Sequence, residues 1–574
     1  MFTLPVMSYR ALAPLFSATL LLLLSVGLIP ARAGTPRAVA TFDCVGLYWK
    51  PAGAAADVAC AVQFRARGEQ VWRDAMPLWF DPNEHEDRPE RSGEYRGSIV
   101  GLEDGTTYEV RLRLDGASEL EELTVTTWDN DLKIARIVEL PERVEETLTI
   151  TEGGSEETGY VVYQPKRGGA TVIDGRGEDR VNVLIEAPWV MVRGLVLKDA
   201  AQHGVEIGPV QHVVVDGCDI SGWGQDLPDG WGRNFDSAIF HETPDDAEPM
   251  LRRIVIQNNE LHHPRANSNS WMQARESRNG SRHPIGPQGI TLINADGEVV
   301  IRHNRIHSDL DHMFNDAMGE YHNFGYGGFP ARDSDIYGNW ISHCWDDGIE
   351  IEGANMNVRT WGNVIDQTFG GIAAAGTSLG PNYIFRNIYL RSRKGPGEDE
   401  ESYRGQFFLK LGGDLRNERF ARGRIYVFHN TVLQPAPWSD DAPSAGAGSG
   451  LKLSNATKVQ TNIQSRNNIL WVRADDGASV YDAQDTALND YDHDLYNGRI
   501  STKRVQQRHG IRARPQFAAP LRAGAEWSVA LAPGTPGADA AAILPNFNDD
   551  FAGNGPDMGA IEFGRTLPAY FPAN

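Results

Sequence analysis

The chain has 574 residues, 41% of them hydrophobic and 23% charged, with 14 Trp and a formal net charge of -23. That apolar content excludes a disordered chain, and the length exceeds one ordinary domain. The acidic balance argues against general nucleic-acid binding, which relies on basic surface, but leaves room for a locally basic groove.

Residues 1–33 read as a secretory signal. Arg10 gives the positive start, an apolar run covers 15–29, and "ARA" at 31–33 is a small-x-small cleavage site. The run is short and wrongly flanked for a membrane span, and no Cys follows it to carry a lipid. Cleavage removes Arg10 and Arg32 and no acid, moving the net charge from -23 to -25. The expectation is a secreted protein, periplasmic or extracellular. It should be monomeric, with no membrane association after cleavage and no nucleic-acid partner.

Residues 34–130 alternate apolar and polar over short runs split by turns: "VACAVQFR", "YEVRLRL", "LTVTTW". This predicts a small antiparallel sandwich. Cys44 and Cys60 both fall in it and can pair in an oxidising compartment. Cys218 and Cys344 show no zinc-like spacing and read as buried thiols. With Trp49 in "LYWKP" and Tyr108 in "GLEDGTTYEVRLRL", the segment resembles a fibronectin type III domain. Those residues match that family's core Trp and corner Tyr. The resemblance implies a spacer or docking module.

From 134 to 514 a phrase recurs: alternating residues, often Asn, any residue, then an aliphatic one. Examples are "VVVDGCDI", "IVIQNNEL", "VVIRHNRI", "DIYGNWI" and "IYVFHNTV". Asn339, Asn363, Asn387 and Asn430 follow one another at gaps of 24, 24 and 43 residues. A repeat in the low twenties with strands and turns but no helical periodicity predicts a right-handed parallel β-helix. Its Asn residues, Asn259, Asn304, Asn339, Asn363 and Asn430 among them, should stack and satisfy backbone groups. "VIDGRGEDRVNVLIEAPWVMVRGLVLKDAAQHGVEI" resembles the first coils of the secreted pectate-lyase-like superfamily. "LAPGTPGAD" and "PDMGAIEFG", in a C-terminal extension over 515–574, resemble its C-terminal segment and are expected to pack on or cap the solenoid. The resemblance implies the fold; the superfamily hosts lyases, hydrolases, epimerases and inert adhesins.

A second strand recurs in each coil. Laid over one another, Ile207, Phe240, Leu292, Ile351, Ala374, Leu409 and Leu453 should point inward. His241, Glu350, Glu352, Ala373, Ala375, Phe408 and Lys410 should then point outward. Two alanines would make a low floor, with the glutamates on one side and Lys410 and Phe408 on the other. That gap is two coil spacings, about 10 Å. Insertions at 264–288, 308–333, 391–404 and 435–449 should wall the groove. His241, Phe408, Tyr321, Tyr326 and Arg393 are the expected substrate contacts.

The stretch "CWDDGIEIEG" places Asp346, Asp347, Glu350 and Glu352 together. Acids that close cannot all ionise freely, so a raised pKa or a bound cation is expected. A pair of carboxyls suits glycoside hydrolysis, with His322 as a further acid/base candidate. "DDG" at 346–348 is similar to a motif of the polygalacturonase branch, whose "NTD", "GHG" and "RIK" signatures are absent. Two alternatives stand beside hydrolysis. One is β-elimination on a uronate polymer, with Lys410 as base and calcium as its cation. The other is a non-catalytic surface or matrix rod. The partner expected on the first two readings is a polysaccharide.

Overall fold

The computed structural model describes residues 34–565 apart from 86–87, 119, 275–282, 326, 393–406, 414–417, 434–448, 454–458, 473–476, 485–486 and 520–527. The signal expected over 1–33 lies outside those residues. Among the described residues the protein is all-β, with one four-residue helix, Trp271–Ala274, and short 3-10 turns. No helix there is long and apolar enough to cross a membrane.

The first unit has seven antiparallel strands: β1 (Arg37–Ala40), β2 (Val45–Trp49), β3 (Cys60–Ala66), β4 (Arg73–Phe80), β5 (Tyr95–Ile99), β6 (Thr107–Leu114) and β7 (Glu121–Thr126). Their order is β1-β2-β5-β4-β3-β6-β7. Strict alternation in β6 buries Tyr108, Val110, Leu112 and Leu114. The Tyr108 hydroxyl accepts the Glu103 backbone N–H at 2.9 Å, pinning the turn before β6. Trp49 is buried, and its Nε1 donates to the Gly34 carbonyl at 2.7 Å. Cys44 and Cys60 are both free and buried in different apolar clusters, so the pairing left open for them is not formed.

The rest is a parallel β-helix with three faces. Face one starts with Leu148–Ile150, Val181–Ile185, His203–Ile207, Ser237–Glu242, Gln288–Ile293 and Met318–Gly319. Face two is a 12-stranded sheet from Ile134–Leu140 to Asp490–Tyr491. Face three begins with Arg143–Val144, Thr171–Asp174, Leu195–Lys198, Asp219–Ser221, Glu260–His262 and Arg305–His307. Inward aliphatics from all three faces fill one continuous core.

A ladder of side-chain amides fixes the corner between faces two and three. The backbone N–H and Nδ2 of Asn259 both donate to Asn304 Oδ1, at 3.0 and 2.9 Å. The same pair of bonds repeats from Asn304 to Asn339, Asn363, Asn387, Asn430 and Asn468. It ends on Asp494, whose Oδ1 takes both bonds from Asn468. Each amide also donates to a carbonyl of the preceding coil, as Asn363 does to Ile336. The residue before each rung is left-handed, with φ between 53° and 65° from Gly217 to His493. Gly338 and Gly362 take that conformation without strain. His303, Arg386 and His429 take it because both flanking strands are held.

The sandwich docks on the outer side of face two. Phe42, Cys44 and Val100 join Val162, Met191, Val214, Val255, Val300, Tyr337 and Trp361 in one apolar cluster. Around it Arg96, fully buried, pairs with Asp81 at 2.8 Å and donates to the Leu379 and Gly380 carbonyls of the β-helix. Tyr48 donates to Asp333 at 2.8 Å, and Tyr383 accepts from Ser98 N–H at 3.0 Å. From the C-terminal extension, Val529, Ala530, Ala560 and Ile561 pack on Val364, Ile388, Leu390 and Leu433 of face three.

Candidate active site

One strand makes the site. Trp340–Glu350 starts on face three beside Arg305–His307, turns the corner, and continues on face one. Its register with Val364–Ala373 shifts between Cys344 and Asp347. Inside the corner there is room only for glycine. A Cβ on Gly348 would come within 2.8 Å of Ile365 and 2.9 Å of the Gly371 carbonyl. Beside this corner Asp346 and Asp347 meet Asp316 of the previous coil. The Asp347 N–H donates to Asp316 Oδ1 at 2.9 Å. Gln288 and Asn315 donate to Asp316 Oδ2 at 3.1 and 3.0 Å.

Lys410 answers these acids from two coils further on. It sits opposite Ala373, which sits opposite Glu350. Because Ala373 has only a methyl group, the lysine reaches over it. Its Nζ lies 2.6 Å from Asp347, 3.2 Å from Glu352 and 3.9 Å from Glu350. The Asp347 and Glu352 side chains are 0% and 3% exposed, whereas Glu350 and Lys410 keep 12% and 18%. The latter two are therefore the groups of this set that solvent reaches most.

Burial sets the proton inventory. It pushes Asp347 up to about 7 against the opposing pull of Lys410. Burial raises Asp316 well above the carboxylate range, with the Asp346 and Asp347 charges adding to it. Glu350 is raised well above its ordinary value by burial, with Asp316 and Glu352 adding to it. Glu352 is raised by burial as well. For Lys410 burial favours the neutral amine, but the charges of Asp347, Glu352 and Glu350 outweigh it and hold the ammonium. Asp316, Asp346 and Asp347 each offer an oxygen within 4.8 Å of the others, and Asp347 Oδ1 has no hydrogen-bond partner. An all-oxygen set of this kind suits a hard divalent cation such as calcium. Lys410 already supplies one positive charge there.

The insertion at 264–288 brings aromatic surface to the acids. Trp271 Nε1 donates to Asp346 Oδ1 at 3.1 Å, and His283 Nε2 lies 3.1 Å from Asp346 Oδ2. Trp271 packs on Phe369 at 5.3 Å between centroids, and Phe369 on Phe407 at 5.6 Å.

Several sequence expectations land elsewhere. His241 does not face outward. It is fully buried, its Nδ1 2.7 Å from the Ile207 carbonyl and its Nε2 2.9 Å from the Thr243 hydroxyl. Ile239 pairs with Val205 in the core, and Phe240 pairs with Glu206 on the outside, stacked on His203 at 4.0 Å. The expected frame was thus one residue off at that coil. Phe408 is also buried, 6.0 Å from Tyr389. Lys410 was expected beside Ala375 but pairs with Ala373, a slip of two that keeps its face. The sugar-wide gap expected between lysine and glutamates is spanned by their ion pairs. His322 joins a different set: its Nδ1 is 2.6 Å from Glu320 and its Nε2 3.1 Å from Asp245. Its carbonyl lies against Gly353, just after Glu352. Tyr321 is 43% exposed beside His322. Tyr326, Arg393 and the Leu453 side chain lie outside the described residues. Asp316 and Trp271 were missed as partners of "CWDDGIEIEG". Asp316 had only the company of other acids in its loop as a signal, and Trp271 had none.

No family model and no curated protein matches the chain. Among solved structures, PfbA, a surface adhesin of Streptococcus pneumoniae, is 11% identical, covering 65% of this chain and 82% of its own at a TM-score of 0.33. The catalytic unit of a thermostable GH87 α-1,3-glucanase from Streptomyces thermodiastaticus is 10% identical, covering 82% of this chain and 90% of its own at a TM-score of 0.32.

Proposed function

We propose that the protein is a secreted carbohydrate-active enzyme that hydrolyses glycosidic bonds of a polysaccharide at the Glu350–Lys410 corner. The observation that carries this is one acid cluster in which a partly exposed Glu350 stands beside a fully buried, lysine-paired Asp347. Burial raises Glu350 well above its ordinary value and its side chain is the most exposed of the acids, while Lys410, 2.6 Å from Asp347, opposes the rise that burial gives that carboxyl. A carboxyl raised by burial beside one that a lysine pulls back toward ionisation is the kind of acid and base pair that glycoside hydrolysis requires. Trp271 gives the sugar an aromatic face next to Asp346.

The ammonium of the corner is already paired with Asp347 and Glu352, which favours a neutral sugar over a uronate that would need its charge. Elimination by Lys410 is disfavoured, because Asp347 and Glu352 at 2.6 and 3.2 Å favour its ammonium form. The sandwich, which we read as fibronectin type III-like, serves as a rigid support rather than a contact for sugar. A panel of neutral polysaccharides and polyuronates tests the reading. Reducing ends released from a neutral polymer by the wild type, and lost in Glu350→Gln, support it. Unsaturated products from a polyuronate, or full activity in Glu350→Gln, overturn it.

A further inference from the structure

At the far end of the solenoid two histidines and an aspartate converge. Asp492 and His493 follow the last strand of face two, Asp490–Tyr491, and His509 precedes Ile511–Arg512. His509 Nδ1 lies 2.7 Å from Asp492 Oδ2, and His493 Nδ1 lies 3.6 Å from the same oxygen. One ligand atom from each of the three residues lies within 4.8 Å of those of the other two. The other oxygen, Asp492 Oδ1, accepts the backbone N–H of His493 at 2.9 Å and of His509 at 2.7 Å. Main-chain donors therefore aim the carboxylate, leaving its second oxygen turned to two imidazole nitrogens.

The His493 Nδ1 is buried without a hydrogen-bond partner. The two rings stack with centroids 4.7 Å apart and an interplanar angle of 23°. His509 is 66% exposed, so its ring can turn toward a shared ion. Bonds of about 2.0–2.1 Å around a tetrahedral ion put neighbouring ligand atoms about 3.3 Å apart. The 2.7 and 3.6 Å separations bracket that spacing.

We propose that Asp492, His493 and His509 bind a borderline divalent transition-metal ion, zinc above all, with water completing the shell. Two imidazoles and one carboxylate suit zinc and disfavour calcium or magnesium, which prefer oxygen. The ion would act as a staple. Gln507, two residues before His509, donates to Asp494, the last rung of the amide ladder. Zinc at this point ties the final coil to the segment that closes it, independently of the acid corner.

The test uses the full exported chain stripped by a chelator and melted with and without zinc chloride. Zinc should raise the melting temperature by several degrees, bind at one site by calorimetry, and be mimicked by neither calcium nor magnesium. His509→Gln leaves a mostly exposed position and should melt like the wild type without zinc. It should lose at least tenfold in zinc affinity, as should Asp492→Asn. Absence of zinc binding by the wild type overturns the proposal. So does binding that persists unchanged in both variants, which would place the ion at the cluster of His262 and His307 on face three with His263 and His312 in the loops that follow.

Discussion

Lys410 reaches across Ala373 to three carboxylates, and its charge lets them share one corner. Removing one partner of a buried ion pair costs about 3–5 kcal/mol, because the others stay buried and unpaired. Lys410→Met should therefore lose stability of that order at pH 8 by urea denaturation. The loss should be smaller at pH 5, where protonation relieves the acids. Glu350→Gln should behave differently. Gln keeps the shape and hydrogen-bonding capacity of a carboxyl whose ionisation burial already disfavours, so stability should stay within about 1 kcal/mol of wild type while turnover disappears. For Asp347 the sign is set by a folded pKa raised from 3.8 to about 7. The folded state keeps a proton that the unfolded chain has released, so stability falls as pH rises from about 4 to about 7 and levels off above. Asp347→Asn should flatten that part of the pH–stability curve. The acids of "CWDDGIEIEG" were legible as a cluster, because they are neighbours in sequence. Their protonation was not, because it depends on burial and on Lys410, 63 residues away.

Between coils the amide ladder decides register. The Asn363 side chain accepts two bonds from Asn339 and gives one each to the Ile336 carbonyl and Asn387 Oδ1. Asn363→Ala strips these partners in a site closed to water, at about 1–3 kcal/mol per orphaned group. A loss of about 3 kcal/mol is expected by urea titration. Asn363→Asp should cost more at neutral pH, since its second oxygen would face two acceptors. Asp494 tolerates the carboxylate because all its partners donate: Asn468, Ser465 and Gln507. The recurring Asn announced this ladder in the sequence, whereas its Asp terminus broke the letter pattern and passed unseen. The strand "SAIFHE" shows the opposite limit. Ile, Phe and His can each fill an inward position, so alternation alone did not choose the frame. The pairing of Ile239 with Val205 did.

Across the whole molecule the sandwich and the solenoid share a core. A tethered spacer would leave face two polar on its outer side. Here it carries Val162, Met191, Val214, Val255, Val300, Tyr337 and Trp361 under the sandwich. Deleting residues 34–130 should expose that apolar surface, and the product should bind a hydrophobic dye and aggregate. A monomeric, dye-silent β-helix would show the contact to be dispensable. The interface also buries Asp43 and Asp333, both pushed up to about 6 by desolvation. By the same linkage, their contribution to docking weakens as pH rises from about 4 to 6.

The sequence by itself determined the all-β class, the parallel solenoid, the rungs of its ladder and the acidic strand. Each of these is written within one repeat, where side-chain alternation and a recurring Asn act locally. The tertiary structure alone decided what faces that strand. Insertions of unequal length separate the coils, and a period-two pattern leaves pairing free to slide in steps of two. Hence Asp316, Trp271 and Lys410 meet at one corner only after the coils stack. The docked sandwich and the convergence of Asp492, His493 and His509 likewise arise from contacts between segments that no local pattern relates.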